Sequence, residues 1–190
     1  MHFVRAILLL LISTQVCSAD PPLTLGQLKF KDWFGHQRHG DQSTVYVLLG
    51  CGFFFQTPVA DGAEKIITDW ITAHPDARVT VVDQSRPFVD PKVNAFMSYI
   101  WVQDGDVNFN LWLVRQGLFP AGVMADGVAY LSTLPDIDRN GPNFPKRLVS
   151  DAEYEAFFQR AIEAEALAAK ERKGIWSGAY DERRLEWGLE

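Results

Sequence analysis

Residues 164–176, AEALAAKERKGIW, decide how this chain is read. Helix-forming residues run without a break until Gly174, and a glycine there ends a helix because it takes the left-handed conformation at least cost. The run opens further back, where Ser150 and Glu153 stand at the spacing of a capping box, so a helix is expected from about Ser150 to Lys173. Upstream, Leu113-Val114-Arg115-Gln116-Gly117-Leu118 repeats the pattern, with a short helix over about Phe109 to Gln116 stopped by Gly117. Ahead of that helix, Ala95 to Val102, containing Tyr99-Ile100-Trp101-Val102, is apolar at successive positions. It reads as a strand buried on both faces that turns at Asp104-Gly105.

The first half carries other elements. Leu25 to Phe30 reads as a weak strand, Gly35 to Gln42 as a polar loop holding two of the four histidines, and Thr44 to Leu49 as a strand continued by Phe53-Phe54-Phe55 past a glycine bulge. Asp61 and Glu64 have capping-box spacing. Ile66, Ile67, Trp70 and Ile71 recur at helical intervals until His74-Pro75, which predicts an amphipathic helix. Arg78 to Asp83 alternates as a strand, Pro87 to Asn94 is an irregular connector, and residues 121–149 form a loop longer than most in compact domains.

In that order these elements resemble the staphylococcal-nuclease-like (thermonuclease) family, over roughly residues 95–177, through the Tyr99 strand, the Asp104-Gly105 turn, the Arg115-Gln116-Gly117 cap and the tail ending Gly174-Ile175-Trp176. The resemblance implies an α+β fold, mainly a β barrel: a five-stranded Greek-key barrel of OB type with about three packed helices. It also implies calcium-dependent phosphodiester hydrolysis. Two aspartates would hold the ion through hard oxygens, a glutamate would activate water, and two arginines would bind phosphate and offset the developing charge.

The family's site falls on residues of other chemistry. Its Asp-Thr-Pro-Glu turn lies on Gln56-Thr57-Pro58-Val59, which loses both carboxylates. The arginine ahead of that turn lies on Cys51, and the arginine of Tyr-Gly-Arg on Ala95. Gly40-Asp41 is read as a remnant of the Asp-Gly-Asp-Thr turn, and Asp41 is the one charged counterpart. A chain without base, arginines and a metal ligand lacks the groups that stabilise the transition state. The expected function is a non-catalytic binding or interaction module with no cofactor, its ligand or protein partner unspecified. The alternative is an active Ca2+-dependent nuclease with substituted residues: Asp41 and Asp61 for the metal, Arg86 or Arg78 for the phosphate.

Charge points the same way. Lys and Arg number 18 against 24 Asp and Glu, a formal net charge of −6, and no basic stripe is visible. Nucleic-acid binding draws most of its non-specific affinity from clustered cations, so that partner is disfavoured. The N-terminus has a basic start at Arg5, an apolar run from Ala6 to Ile12, and a small-residue exit ending at Ala19. This is a secretory signal peptide by pattern, too short to span a membrane, and it places the mature chain outside the cytoplasm, secreted or periplasmic. Its removal leaves about 170 residues, enough for one domain over 20–190. Cys51 then remains alone, and it is read as a small apolar core residue.

Two further patterns have plain readings. Asp136, Asp138, Asn140 and Gly141 match the opening of a calcium loop, but Arg147 occupies the twelfth place and prolines flank it, so a polar turn is expected. His36 and His39, with no acid or cysteine at ligand spacing, are read as solvated loop residues. Phe144 and Leu148 on the long loop are candidate contacts for a protein partner.

Overall fold

The computed structural model describes residues 22–31, 34–48, 59–85, 95–121 and 146–189. They form an α+β arrangement of seven strands in one mixed sheet and four helices. The strands are β1 (Lys29–Lys31), β2 (Phe34–His39), β3 (Gln42–Leu48), β4 (Arg78–Ser85), β5 (Ala95–Asp104), β6 (Val107–Asn108) and β7 (Lys146–Arg147). The helices are α1 (Ala63–Ala73), α2 (Phe109–Arg115), α3 (Asp151–Lys170) and α4 (Asp181–Glu186). The sheet is open, in the order β1-β2-β3-β5-β4-β7, with β6 paired on β5.

All pairs are antiparallel except β3 with β5, where Ser43 lies against Ala95 and Leu48 against Ile100. A parallel pair needs a crossover, and the chain supplies it through α1 and β4. The segment before β1 returns to the free edge of β4: Thr24 forms an isolated antiparallel bridge with Arg78, and the Val79 amide donates to the Leu23 carbonyl at 2.8 Å. Further along the same edge of β4, β7 pairs at Asp83 and Gln84.

The polar loop expected over Gly35 to Gln42 is instead mostly strand. Phe34 to His39 pair with β3, Phe34 to His36 also pair with β1 on the other side, and only Gly40 and Asp41 turn. Its polar residue types concealed a segment held by a backbone ladder, and Gly35 is buried where a side chain would crowd Phe30 and Leu28. Leu25 to Phe30 is likewise not one strand: a 3-10 turn covers Leu25–Gln27 before β1 begins.

In α1, Ile67 and Ile71 are buried, whereas Ile66 is on the exposed side. The helix is entered through Gly62 in the left-handed conformation (φ 81°), with no side-chain cap from Asp61. Tyr99, Phe109, Ile67, Ile100, Leu113 and Ile175 are fully buried and centre the core, each contributing about 1.5–3 kcal/mol through its burial. Trp70 stacks on Phe109 at 3.9 Å between ring centroids, which fastens α1 to α2.

The capping box opens α3 as expected: Ser150 accepts from the Glu153 amide, and Glu153 accepts from the Ser150 amide. That helix stops at Lys170, a turn early, and Arg172 takes a positive φ of 55°. The sequence reading gave no helix after Trp176; α4 forms there.

Candidate functional site

Of the sequence-derived site positions, Cys51, Gln56, Thr57, Arg86, Asp136, Asp138 and Asn140 lie outside the described residues, as do the N-terminal leader, Phe53 to Phe55, the 87–94 connector and Phe144. Asp41 is exposed at the tip of the β2–β3 hairpin, beside Gly40 (φ 61°). Ala95 opens β5 opposite Ser43, so Asp41 and Ala95 stand at the same end of the β3–β5 pair.

Val59 and Asp61 belong to a different neighbourhood, the entry to α1. Val59 is half-buried, and the next residue, Ala60, donates its amide to the Leu118 carbonyl at 3.0 Å. Asp61 faces the C-terminal segment. Its amide donates to the Tyr180 hydroxyl at 2.7 Å, and its carboxylate accepts from Arg183 at 2.8 Å. The hydrogen bond from Arg183 holds the Asp61 carboxyl below the usual carboxylate range, and the Arg183 guanidinium lies 5.4 Å above the Tyr180 ring. Asp61 is therefore already paired with a cation, in an ion pair open to solvent.

Arg78 sits at the other end of the sheet from Asp41. It opens β4 and pairs with Gln103 near the end of β5, eight residues from Ala95, a separation of roughly 26 Å along the strand. A cation held by Asp41 and a phosphate held by Arg78 would be a strand's length apart. Both His36 and His39 lie on β2. Among the described residues no group of three or more His, Cys, Asp or Glu is placed to hold a metal.

The structure assembles a polar cluster that sequence reading did not single out. β4 carries a bulge between Val81 and Asp83: Val81 pairs with Ile100 and Asp83 with Tyr99, leaving Val82 extra. Val82 and Asp83, though adjacent, are both fully buried. Across β5 the Tyr99 hydroxyl is pushed far above its ordinary range, first by burial and then by the charge of Asp83. From β7, Arg147 brings its Nε to 3.9 Å from Asp83, donates to Asp151 at 3.0 Å, and lies 3.8 Å over the Tyr154 ring. Trp101 continues the packing by stacking on Phe157 at 4.4 Å.

Asp83 and Tyr99 are closed from solvent, so among the described residues the cluster offers no route for a substrate. Its chemistry is that of an anchor, fixing β7 and the start of α3 to the sheet. Asp83 had one sequence signal, an acid ending an alternating strand; Arg147 lies 64 positions later, with nothing local to link them.

A second exposed pair joins α1 to the β5–β6 turn. His74 Nδ1 lies 2.5 Å from Asp104, and its ring stacks on Trp70 at 4.1 Å. With no further metal ligand beside it among the described residues, this carboxylate-oriented imidazole serves as a tie between elements.

What fold and site define together is an α+β protein with an open mixed sheet, helices packed on it, and its described buried charge used for anchoring. No protein-family model matches the sequence, and no curated protein matches it. No helix among the described residues is long and apolar enough to cross a membrane.

Proposed function

We propose that this chain is a thermonuclease-like barrel of OB type that has lost its catalytic groups and works as an exported binding or interaction module. The observation that carries the reading is the parallel β3–β5 pair within the order β1-β2-β3-β5-β4, with α1 inserted between β3 and β4. That order is the one a five-stranded OB barrel follows, and the Thr24–Arg78 bridge supports closure, because it returns the segment before β1 to β4. The sheet's extra members, β6 and β7, are two residues each.

The non-catalytic part rests on chemistry. Glutamine, valine, cysteine and alanine replace the acids and arginines that the resemblance requires at 56, 59, 51 and 95. The substitutes considered from the sequence are also poorly disposed: Asp61 is bound to Arg183, and Arg78 is a strand's length from Asp41. A barrel that keeps its packing while losing its charged centre retains a shaped surface for binding. The leader-like residues 1–19 support export.

The test is cleavage of single- and double-stranded DNA and RNA by the folded protein, with calcium and with a chelator. The expected result is no cleavage above a buffer control. Calcium-dependent cleavage that disappears in Asp41→Ala would overturn this reading.

A further inference from the structure

We infer that the β1–β2 surface bearing Lys29, His36 and Arg38 is a docking strip for an extended acidic peptide; this rests on the binding-module reading above. Strand register puts the three on one face. Lys29 lies directly opposite His36, and Arg38 follows His36 by two residues. The register continues the row inward, with Val45 of β3 opposite His36 and Met97 of β5 beside Val45, both half-buried. A row of basic side chains thus runs into a short apolar floor.

The chain is acidic overall, and seven of its basic residues elsewhere in the described structure meet an acid within salt-bridge distance. Among the described residues Lys29, His36 and Arg38 meet none, as is also true of Arg78, Lys146, Arg160, Lys170 and Arg172; the three are set apart by sharing one face of the β1–β2 pair. Lys29 and the His36 imidazole, directly opposite each other on neighbouring strands, both offer N–H donors to an incoming carboxylate. Arg38 is also held: its Nε donates to the Gly40 carbonyl at 3.0 Å, which steadies the guanidinium at the hairpin.

The occupant follows from spacing and chemistry. In an extended peptide alternate side chains fall roughly 7 Å apart on one face, the same step that separates His36 from Arg38 along β2. Carboxylates at alternate positions match the cations, and apolar side chains suit Val45 and Met97. A nucleic acid would use the cations, and its bases could lie over that floor, but the chain's net charge of −6 disfavours so dense a polyanion.

The experiment is fluorescence anisotropy of the full protein with a labelled peptide alternating glutamate and valine, its glutamine counterpart, and labelled single-stranded DNA, at low and physiological ionic strength. The glutamate peptide is expected to bind about tenfold more tightly than the glutamine one, with the difference shrinking as salt rises. The double variant Lys29→Gln/Arg38→Gln should weaken it by about fivefold or more, while Lys170→Gln, an exposed unpaired cation on α3, should change nothing. Equal binding of the two peptides, an unaffected double variant, an equal loss in Lys170→Gln, or tighter binding of DNA through the same residues each overturns the inference. Calcium-dependent cleavage would instead remove the binding-module reading, so the two failures are separable.

Discussion

Gly117 and Gly174 cross with their backbones in contact. A Cβ built on Gly174 would stand 2.1 Å from the Gly117 carbonyl oxygen, and one on Gly117 would stand 2.3 Å from the Lys173 carbonyl oxygen. Both residues hold positive φ, 69° and 49°, and the Ile175 amide closes the crossing by donating to the Gly117 carbonyl at 2.8 Å. The glycines that end the α2 segment and follow α3 are thus two sides of one joint.

Gly174→Ala should therefore be among the most damaging small substitutions in the chain. The left-handed conformation and the backbone overlap together cost at least about 3 kcal/mol, which in a domain of this size lowers Tm by about 6–12 °C. Gly105→Ala is the control: it shares a positive φ (53°) but meets nothing within 4 Å, so about 1 kcal/mol is expected. Thermal unfolding followed by circular dichroism checks the pair, and similar losses would contradict the close crossing.

Asn110 is a side-chain bridge between a helix and a strand. It is fully buried, its Oδ1 accepts from the Val102 amide at 3.0 Å, and its Nδ2 donates to the Ile100 carbonyl at 3.1 Å. Asn110→Leu should cost about 2–4 kcal/mol, because it leaves two buried backbone groups without partners while keeping the volume. Chemical denaturation would show this as a lower midpoint with an unchanged slope.

The anchor at Asp83 predicts non-additivity. Arg147→Ala removes the cation facing a buried carboxylate and should cost about 2–3 kcal/mol, less than a fully enclosed pair because Arg147 is partly exposed and 3.9 Å away. Asp83→Asn removes the charge from the other side. If the two groups are coupled, the double variant loses less than the sum of the single losses; strict additivity in a double-mutant cycle would show that they are not.

Acid sensitivity should have a component at Glu171. Hydrogen bonds from Arg115, at 2.5 Å, and from Lys173 hold its carboxyl at about 2, below the ordinary 4.5. A folded value below the unfolded one means that the contribution is fully present above about pH 4.5 and is lost as pH falls toward about 2. Glu171→Gln should flatten the stability profile in that window, modestly, since the groups are solvent-exposed and screened by salt.

Elements whose signal was local could be read from sequence. Ser150 with Glu153 named the start of α3, Gly117 the end of α2, and Asp104-Gly105 the β5 turn, each a few residues with one dominant preference. Elements decided by distant partners could not. His36 to His39 look like loop because polar residue types hide a ladder supplied by β3, joined at His36 by β1. Asp61 looks like a cap, yet its carboxylate turns to Arg183, 122 positions away. Lys173 looked helical, but the joint at Gly174 requires the chain to leave the helix sooner. Of the candidate site, the replacements at Cys51, Gln56, Val59 and Ala95 were plain in the sequence; the burial of Asp83 was not, because it depends on a bulge that no residue type announces.

The one parallel pair in the sheet also sets an order of events. Ser43 and Ala95 meet across roughly fifty positions of chain, and closing such a loop is slower than forming the β4–β5 hairpin or docking α2 beside it. During synthesis, the joint of Gly117 with Gly174 must wait until both residues have emerged. Folding should begin around β5 and α2 and finish by admitting β3. Buried Val47 on β3 should then show a φ-value near zero and Asn110 a high one in refolding kinetics, which makes the N-terminal hairpin the last part to commit.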